Sequence, residues 1–442
     1  MKKSTWIKSL VLLGMLAVLP PYFCQAPKDS GATATPDHIA LTWTGDPATT
    51  TTLTWRTDST VASGVVEYQK GDTLSKKAKQ ARAVSRDFPT DLGGTRLFTC
   101  TLADLSSNAE YSYRVGDGTH WSDLSKFSTA RRNARAFKFL IFGDSQSSVG
   151  GDNPYGAWRK TLHNAFSANP DAKFIVNVGD LVDYGQMGAH WNAWFAAAKG
   201  VVDRIPEMAA SGNHEYYGSH DMTRPQYWAA QWAYPQNGPE GMKDQVYSYD
   251  YGPVHIVVLD SQAEEQKSRG DVLAIQKPWL EADLAASKAK WKIVFFHKPP
   301  YPVYPKRYNN DIKAAFCPIM EKYGVDLVFN AHDHGIARTY PIKGDALMKK
   351  PSEGVIYYIS GQSGGKSYPA VKKMDYDAMF YNPVDQPNYF VVDVTEKKIT
   401  VKTVMQDGTI FDIFFIDKEK NISSDTLRQP EPADSKDEKR AA

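Results

Sequence analysis

The sequence predicts an α+β protein made of two successive units, a β-sandwich and then a layered α/β domain. Three observations lead there. Between about residues 36 and 130, short runs alternate apolar and polar residues and are separated by turn residues, the spacing of an all-β sandwich. After Arg135, apolar strands alternate with stretches of helical period, the pattern of a sheet covered by helices. Within this second part, five apolar strands stop on carboxylate, amide or imidazole side chains.

Taken in order, the chain opens with Lys2, Lys3 and Lys8 ahead of an apolar run over residues 10–19. This is the charged start and short hydrophobic core of an export signal, and it is too short for an ordinary membrane span. Residues 1–34 are therefore assigned to a leader. It is either cut before Thr35 or kept as a membrane tether, and no other segment is long and apolar enough to span a bilayer. The sandwich is expected over 35–131, with strands at 40–43, 52–57, 64–68, 98–102 and 110–115. Cys24 belongs to the leader. Cys100 and Cys317 fall in different units and are expected as buried packing residues, because two cysteines make no disulfide framework.

The second unit is expected over 135–417. Helical spacing marks 155–168, 190–199, 276–289 and 311–323, with Pro318 implying a kink or break in the last. Strands near 355–359, 389–394, 399–404 and 410–416 mostly lack helices between them, so the sheet should finish antiparallel. Residues 418–442 are charged and polar and are expected as a solvated tail. Of the 442 residues, 42% are hydrophobic, ordinary for a chain with a full core, and the net charge of +2 provides no basic field for nucleic acid.

The five strand ends carry the chemistry. Residues 137–142 end in Gly143-Asp144-Ser145-Gln146, and residues 174–178 in Gly179-Asp180-Leu181-Val182-Asp183. Then come Ser211-Gly212-Asn213-His214-Glu215, a strand at 292–296 running into His297, and one at 325–329 running into Asn330-Ala331-His332-Asp333-His334. The carboxyl ends of strands in an open α/β sheet line one crevice. Asp144, Asp180, Asn213, His297, His332 and His334 should meet there, with Asp180 bridging two metal ions. A donor set of carboxylate, imidazole and amide without thiolate suits iron, manganese or zinc.

In this order, the five blocks resemble the calcineurin-like metallophosphoesterases, and within them the purple acid phosphatase branch. The likeness runs from about Trp43 to Phe415 and includes His332-Asp333-His334-Gly335-Ile336-Ala337-Arg338-Thr339-Tyr340-Pro341. The resemblance implies a layered αββα metallophosphoesterase domain behind a fibronectin-type-three-like sandwich, in which Tyr111 would hold a corner through its hydroxyl. It also implies that Asp144 and His334 hold a first metal, and Asn213, His297 and His332 a second. A metal-bound hydroxide would attack phosphorus in line. His214 would protonate the leaving group, with Glu215 orienting it or touching the substrate, and Lys306 or Arg307 would meet the phosphate. His190 stays unassigned.

The chain departs from the pattern at two places. Asp183 stands where purple members carry a Tyr three residues after the bridging Asp, and Tyr184 comes one residue later. Gln146 stands where a His often completes the first site, so that it either ligates metal or hydrogen-bonds bound water. The expected function is an exported phosphatase acting on small phosphomonoesters. A phosphodiesterase or nucleotidase would use the same site, and a binding protein with a relic site is the alternative of another class.

Overall fold

The computed structural model describes residues 30–150, 152–218 and 224–425. The expected leader core, His220 and residues 426–442 lie outside them.

The first unit has two four-stranded antiparallel sheets. One orders Asp37–Thr42, Thr51–Asp58, Gly93–Leu102 and Val84–Thr90, and the other Lys79–Arg82, Val65–Lys70, Glu110–Gly116 and Ser125–Ser128. Alternation places Leu53, Trp55, Phe98, Cys100, Tyr111, Tyr113 and Val115 in one core between the sheets. Trp55 stacks on Phe98 at 5.2 Å. The Tyr111 hydroxyl accepts the Ser106 amide at 2.8 Å, the expected corner bond.

The second unit stacks two sheets face to face. A seven-stranded sheet runs Tyr247–Tyr251, Val254–Val258, Trp291–Phe295, Leu327–Asn330, Ile356–Ser360, Ile336–Thr339 and Asp377–Tyr381, with the middle four strands from Val254–Val258 to Ile356–Ser360 parallel. A six-stranded sheet runs Ile175–Asn177, Ala136–Phe142, Asn388–Thr395, Lys398–Met405, Ile410–Asp417 and Ile422–Ser423. Its last strands are antiparallel, as expected. The strand at Ile356–Ser360, however, joins the other sheet.

Both faces of the parallel strands are apolar, which explains their unbroken hydrophobic runs. Ile256, Phe295, Phe329 and Tyr358 point to the core between the sheets, and Phe329 and Tyr358 reach Phe390 of the facing sheet. Val257, Val294, Val328 and Tyr357 point outward under the helices Val272–Ala286 and Asn310–Lys322. On the opposite outer face, Gly156–Ala168 lays Trp158 against Phe142 at 5.2 Å, and Gly188–Ala198 brings Trp194 beside Trp158. The order is helix, sheet, sheet, helix.

Two expectations are corrected here. Pro318 does not break its helix, whose buried Phe316, Cys317 and Met320 hold it to the sheet on both sides of the ring. The chain also stays in the fold past residue 418. Lys418 pairs with Asp326 at 2.7 Å, Ile422–Ser423 extends the sheet, and Asp425 clasps the buried Arg338. Ion pairs formed far along the chain thus anchor a stretch whose composition alone is that of a tail. The two units are joined by backbone bonds such as Leu41 N–H to Val202 O at 2.9 Å, and Trp43 packs into the second unit's core.

Candidate metal centre

Four of the expected strand ends meet, and Asn213 joins them from a segment paired only through isolated parallel bridges at Glu207 and Ala210; the backbone turns sharply at most of these ends. Asp144, Asp180, His332 and His334 all have left-handed φ, between 51° and 73°. Each costs energy for a residue with a side chain, and such strain collects at functional sites. It turns the ligand-type side chain back across the strand end. Packing is tight enough that a Cβ on Gly212 would lie 2.2 Å from an Asp180 oxygen, so only glycine fits there.

The side chains form two groups around Asp180. In one, His297 Nε2 lies 3.1 Å from Asp180 Oδ2, 3.1 Å from Asn213 Oδ1 and 3.2 Å from His332 Nδ1. His297 donates its Nδ1–H to Val178 O at 2.9 Å, so Nε2 is the atom that turns to the other three, carrying either a proton or, in the neutral ring, a lone pair. With the neutral ring several acceptors face one another, which repels unless a cation, a proton or a metal ion, sits among them. In the other group, His334 Nε2 lies 3.5 Å from Asp144 Oδ1, while its Nδ1–H is held by Lys366 O. Asp144 Oδ1, Gln146 Oε1 and His334 Nε2 are buried without a hydrogen-bond partner. Buried polar atoms are rarely left so. The donor set fits metal ions, and orphaned acceptors mark where they would bind.

The electrostatics agree. Burial and the charge of Asp180 push the Asp144 carboxyl well above the usual range. Burial also opposes charge on Asp180, but His297 and His214 outweigh it and hold that group well below its ordinary value. Burial and His297 keep His332 far below the ordinary imidazole range, and burial lowers His334 to about 3. Both rings present neutral lone pairs.

His214 stands at the edge of this cluster. Its backbone N–H donates to Asp180 Oδ1 at 2.8 Å, and its Nδ1 lies 2.7 Å from Asp183 O and 3.3 Å from Asp183 Oδ1. Its Nε2 faces Asp180 Oδ2 at 3.8 Å. Gln146 is fully buried and points its amide nitrogen at Asp180 Oδ2, 3.3 Å away.

Three expectations fail on geometry. Glu215 does not reach the cleft. It is fully buried, and its carboxylate accepts four backbone amides: Asp180 and Gly212 on Oε2, Leu181 and Val182 on Oε1. It staples two ligand-bearing loops together. Arg307 is tied to Asp333 and to His332 O at 3.0 Å, and Asp333 also holds the Val303 and Tyr304 amides, so this arginine clamps its own loop. Lys306 is exposed beside it. Tyr184 is 45% exposed and lies beside His190 rather than among the ligands. His190 itself bonds the Tyr155 hydroxyl at 3.0 Å, which in turn accepts the Asp183 amide.

Sequence reasoning missed three neighbours. Lys366 pairs with Asp183 at 3.0 Å, Tyr217 accepts a hydrogen bond from Asn213 Nδ2 at 2.9 Å, and Tyr368 lies 4.2 Å from the His334 ring. The pair Gly364-Gly365 just before Lys366 was the available signal, since a backbone of glycines lets a loop approach closely.

Residues 137–335 match the family described as calcineurin-like phosphoesterase, and residues 36–129 match the purple acid phosphatase N-terminal domain. The chain is 27% identical over 421 residues to acid phosphatase type 7 of Mus musculus, covering 86% of this chain and 90% of that one. It is 24% identical over 407 residues to purple acid phosphatase 23 of Arabidopsis thaliana, covering 81% and 85%. Its fold is similar to that of the purple acid phosphatase PPD1 from yellow lupin seeds, with a TM-score of 0.73 at 19% identity over 89% of this chain and 76% of the other. The chain therefore carries a calcineurin-like phosphoesterase domain, of a family of hydrolases with binuclear metal centres, behind a purple acid phosphatase N-terminal domain, and its relatives are acid and purple acid phosphatases.

Proposed function

We propose that the chain is an exported phosphatase that hydrolyses small phosphomonoesters at two metal ions drawn from iron, manganese and zinc. The observation that carries this reading is the convergence on Asp180 of orphaned acceptors of Asp144, Gln146 and His334 from one side and of the ligand-type atoms of Asn213, His297 and His332 from the other. Asp144, His334 and Gln146 Oε1 would hold one ion, Asn213, His297 and His332 the other, and Asp180 both. A metal pair, when bound, neutralises the phosphoryl group and acidifies water. The rest falls to the chain's own residues. Asp183 O receives the His214 Nδ1–H, and in the imidazolium form the second proton sits on Nε2, turned to the cleft, from which it passes to the leaving oxygen. Water attacks from the opposite side, and no phosphoenzyme is needed. Residues 35–131 act as a support, and the basic, apolar N-terminal run directs export.

One preparation tests the reading. Purified protein is analysed for metal content and assayed on an aryl phosphate and its bis-aryl diester. About two metals per chain with the monoester turned over faster is expected. Faster diester turnover would make it a phosphodiesterase, and a metal-loaded protein inert to both would leave the binding-protein alternative. Fractionation that leaves the full-length chain in soluble cytoplasm would defeat export.

A further inference from the structure

The joint between the two units carries a feature that the catalytic reading does not use. Residues 131–136 cross from the sandwich to the first strand of the second unit and form one wall of a cleft of ≈ 590 Å³. The cleft continues into a second cavity of ≈ 500 Å³, and the two share Glu110, Lys173 and Tyr251, so they form one elongated groove. Arg131, Arg132 and Arg135 line the first part, Lys173 both parts, and Arg204 the second. All five are exposed. Arg135 lies 4.0 Å from Glu396, and the other four form no ion pair among the described residues. The acid in the lining, Glu110, is already held by Lys126 at 3.0 Å.

A chain of net charge +2 thus concentrates five cations, four of them without an ion pair among the described residues, along one concave track. Neighbouring like charges repel, and a groove with low-dielectric walls focuses their field. The groove is also far from the metal ligands. Ala136 opens the strand whose other end leads to Asp144, roughly 20–25 Å away at about 3.3 Å per residue.

We propose that this groove binds an extended sulfated polysaccharide chain, separately from the catalytic cleft. Guanidinium groups bind sulfate oxyanions through paired N–H donors and stay charged at any working pH. The cations are spread along the groove, which suits charges spaced along a chain better than one small anion. A flat bilayer cannot enter a recess between two units. Single-stranded nucleic acid is disfavoured because its bases need exposed aromatic platforms: of the rings in the lining, Tyr251, Phe137 and Phe127 are buried and Phe166 is half-buried.

The test uses the full chain and a heparin-derived hexasaccharide, whose sulfates a phosphatase does not consume, titrated by calorimetry at low and physiological salt. Binding that weakens with salt is expected. The triple variant Arg131→Ala, Arg132→Ala, Arg135→Ala should lower affinity by at least about tenfold, while turnover of a small aryl phosphate is unchanged. The pair Lys173→Glu, Arg204→Glu, toward the second cavity, should weaken binding as well. No binding at low salt, or affinity unchanged in both variants, overturns the proposal. Tighter binding of anionic vesicles or of an unstructured oligonucleotide, lost in the same variants, would assign the groove to a different partner and also overturns it. Because turnover is measured in parallel, failure here is distinct from failure of the phosphatase reading.

Discussion

Replacing Glu215 by Gln tests the staple that the fold builds behind the metal ligands. The carboxylate accepts amides from Asp180 at 2.9 Å and Gly212 at 2.6 Å on one oxygen, and from Leu181 at 2.8 Å and Val182 at 3.3 Å on the other. Glutamine keeps one acceptor oxygen, so two of these donors would face an amide NH₂ inside a fully buried site. Each stranded donor costs about 1–3 kcal/mol, giving roughly 2–6 kcal/mol in total. A fall in Tm of at least about 4 °C follows if each kcal/mol is worth about 2 °C or more. Since Asp180 N–H is one of the donors, metal occupancy should drop with it. The assay is thermal unfolding with metal analysis of the same sample. If Glu215 instead touched substrate, the variant would unfold normally, keep its metals and show only a raised KM, and that result would refute the staple.

His214→Ala is expected to retain its metals and lose about 10²–10⁴ in turnover, less on a nitrophenyl phosphate than on an alkyl phosphate, whose leaving group needs the proton more. Equal losses on both would show that His214 does not act as the acid. The iron-loaded protein should lack a strong tyrosinate band, because Asp183 holds the usual tyrosine place and Tyr184 turns to His190; an intense band abolished by Tyr184→Phe would contradict this. Burial alone would lower His255, but Asp250 at 2.7 Å and Asp283 at 2.8 Å raise it to about 9. A folded value above the unfolded one adds stability that is complete below about pH 6.5 and is lost as pH rises through about 9. The loss should be on the order of 3 kcal/mol in denaturant titrations, and a His255→Gln variant showing the same pH dependence would exclude the clasp as its source.

Some of this protein could be read from its residues one stretch at a time. Apolar runs such as residues 292–296 and 325–329 report strands, because a strand covered on both faces must be apolar throughout. A ligand-type side chain directly after such a run reports a site, because strand ends in α/β sheets share one crevice. Asp144, Asp180, His297, His332 and His334 were legible for that reason. The helix through residues 310–322 was legible from its spacing, although its survival across Pro318 was not.

What remained was decided by partners distant in sequence. Glu215 looks like a companion of His214, yet its four amides come from two loops, and only their packing reveals that the carboxylate is spent on backbone. Arg307 looks like a phosphate ligand until Asp333 is found beside it. Lys366 meets Asp183 across 183 positions of chain, and the C-terminal residues look like tail until Arg338 and Asp326 claim them. A charged side chain's role depends on which groups desolvate and pair with it, and those groups are gathered only when the chain folds. Local pattern therefore told where strands end and which side chains gather there, whereas tertiary packing decided which charged groups face the cleft and which are used to hold it together.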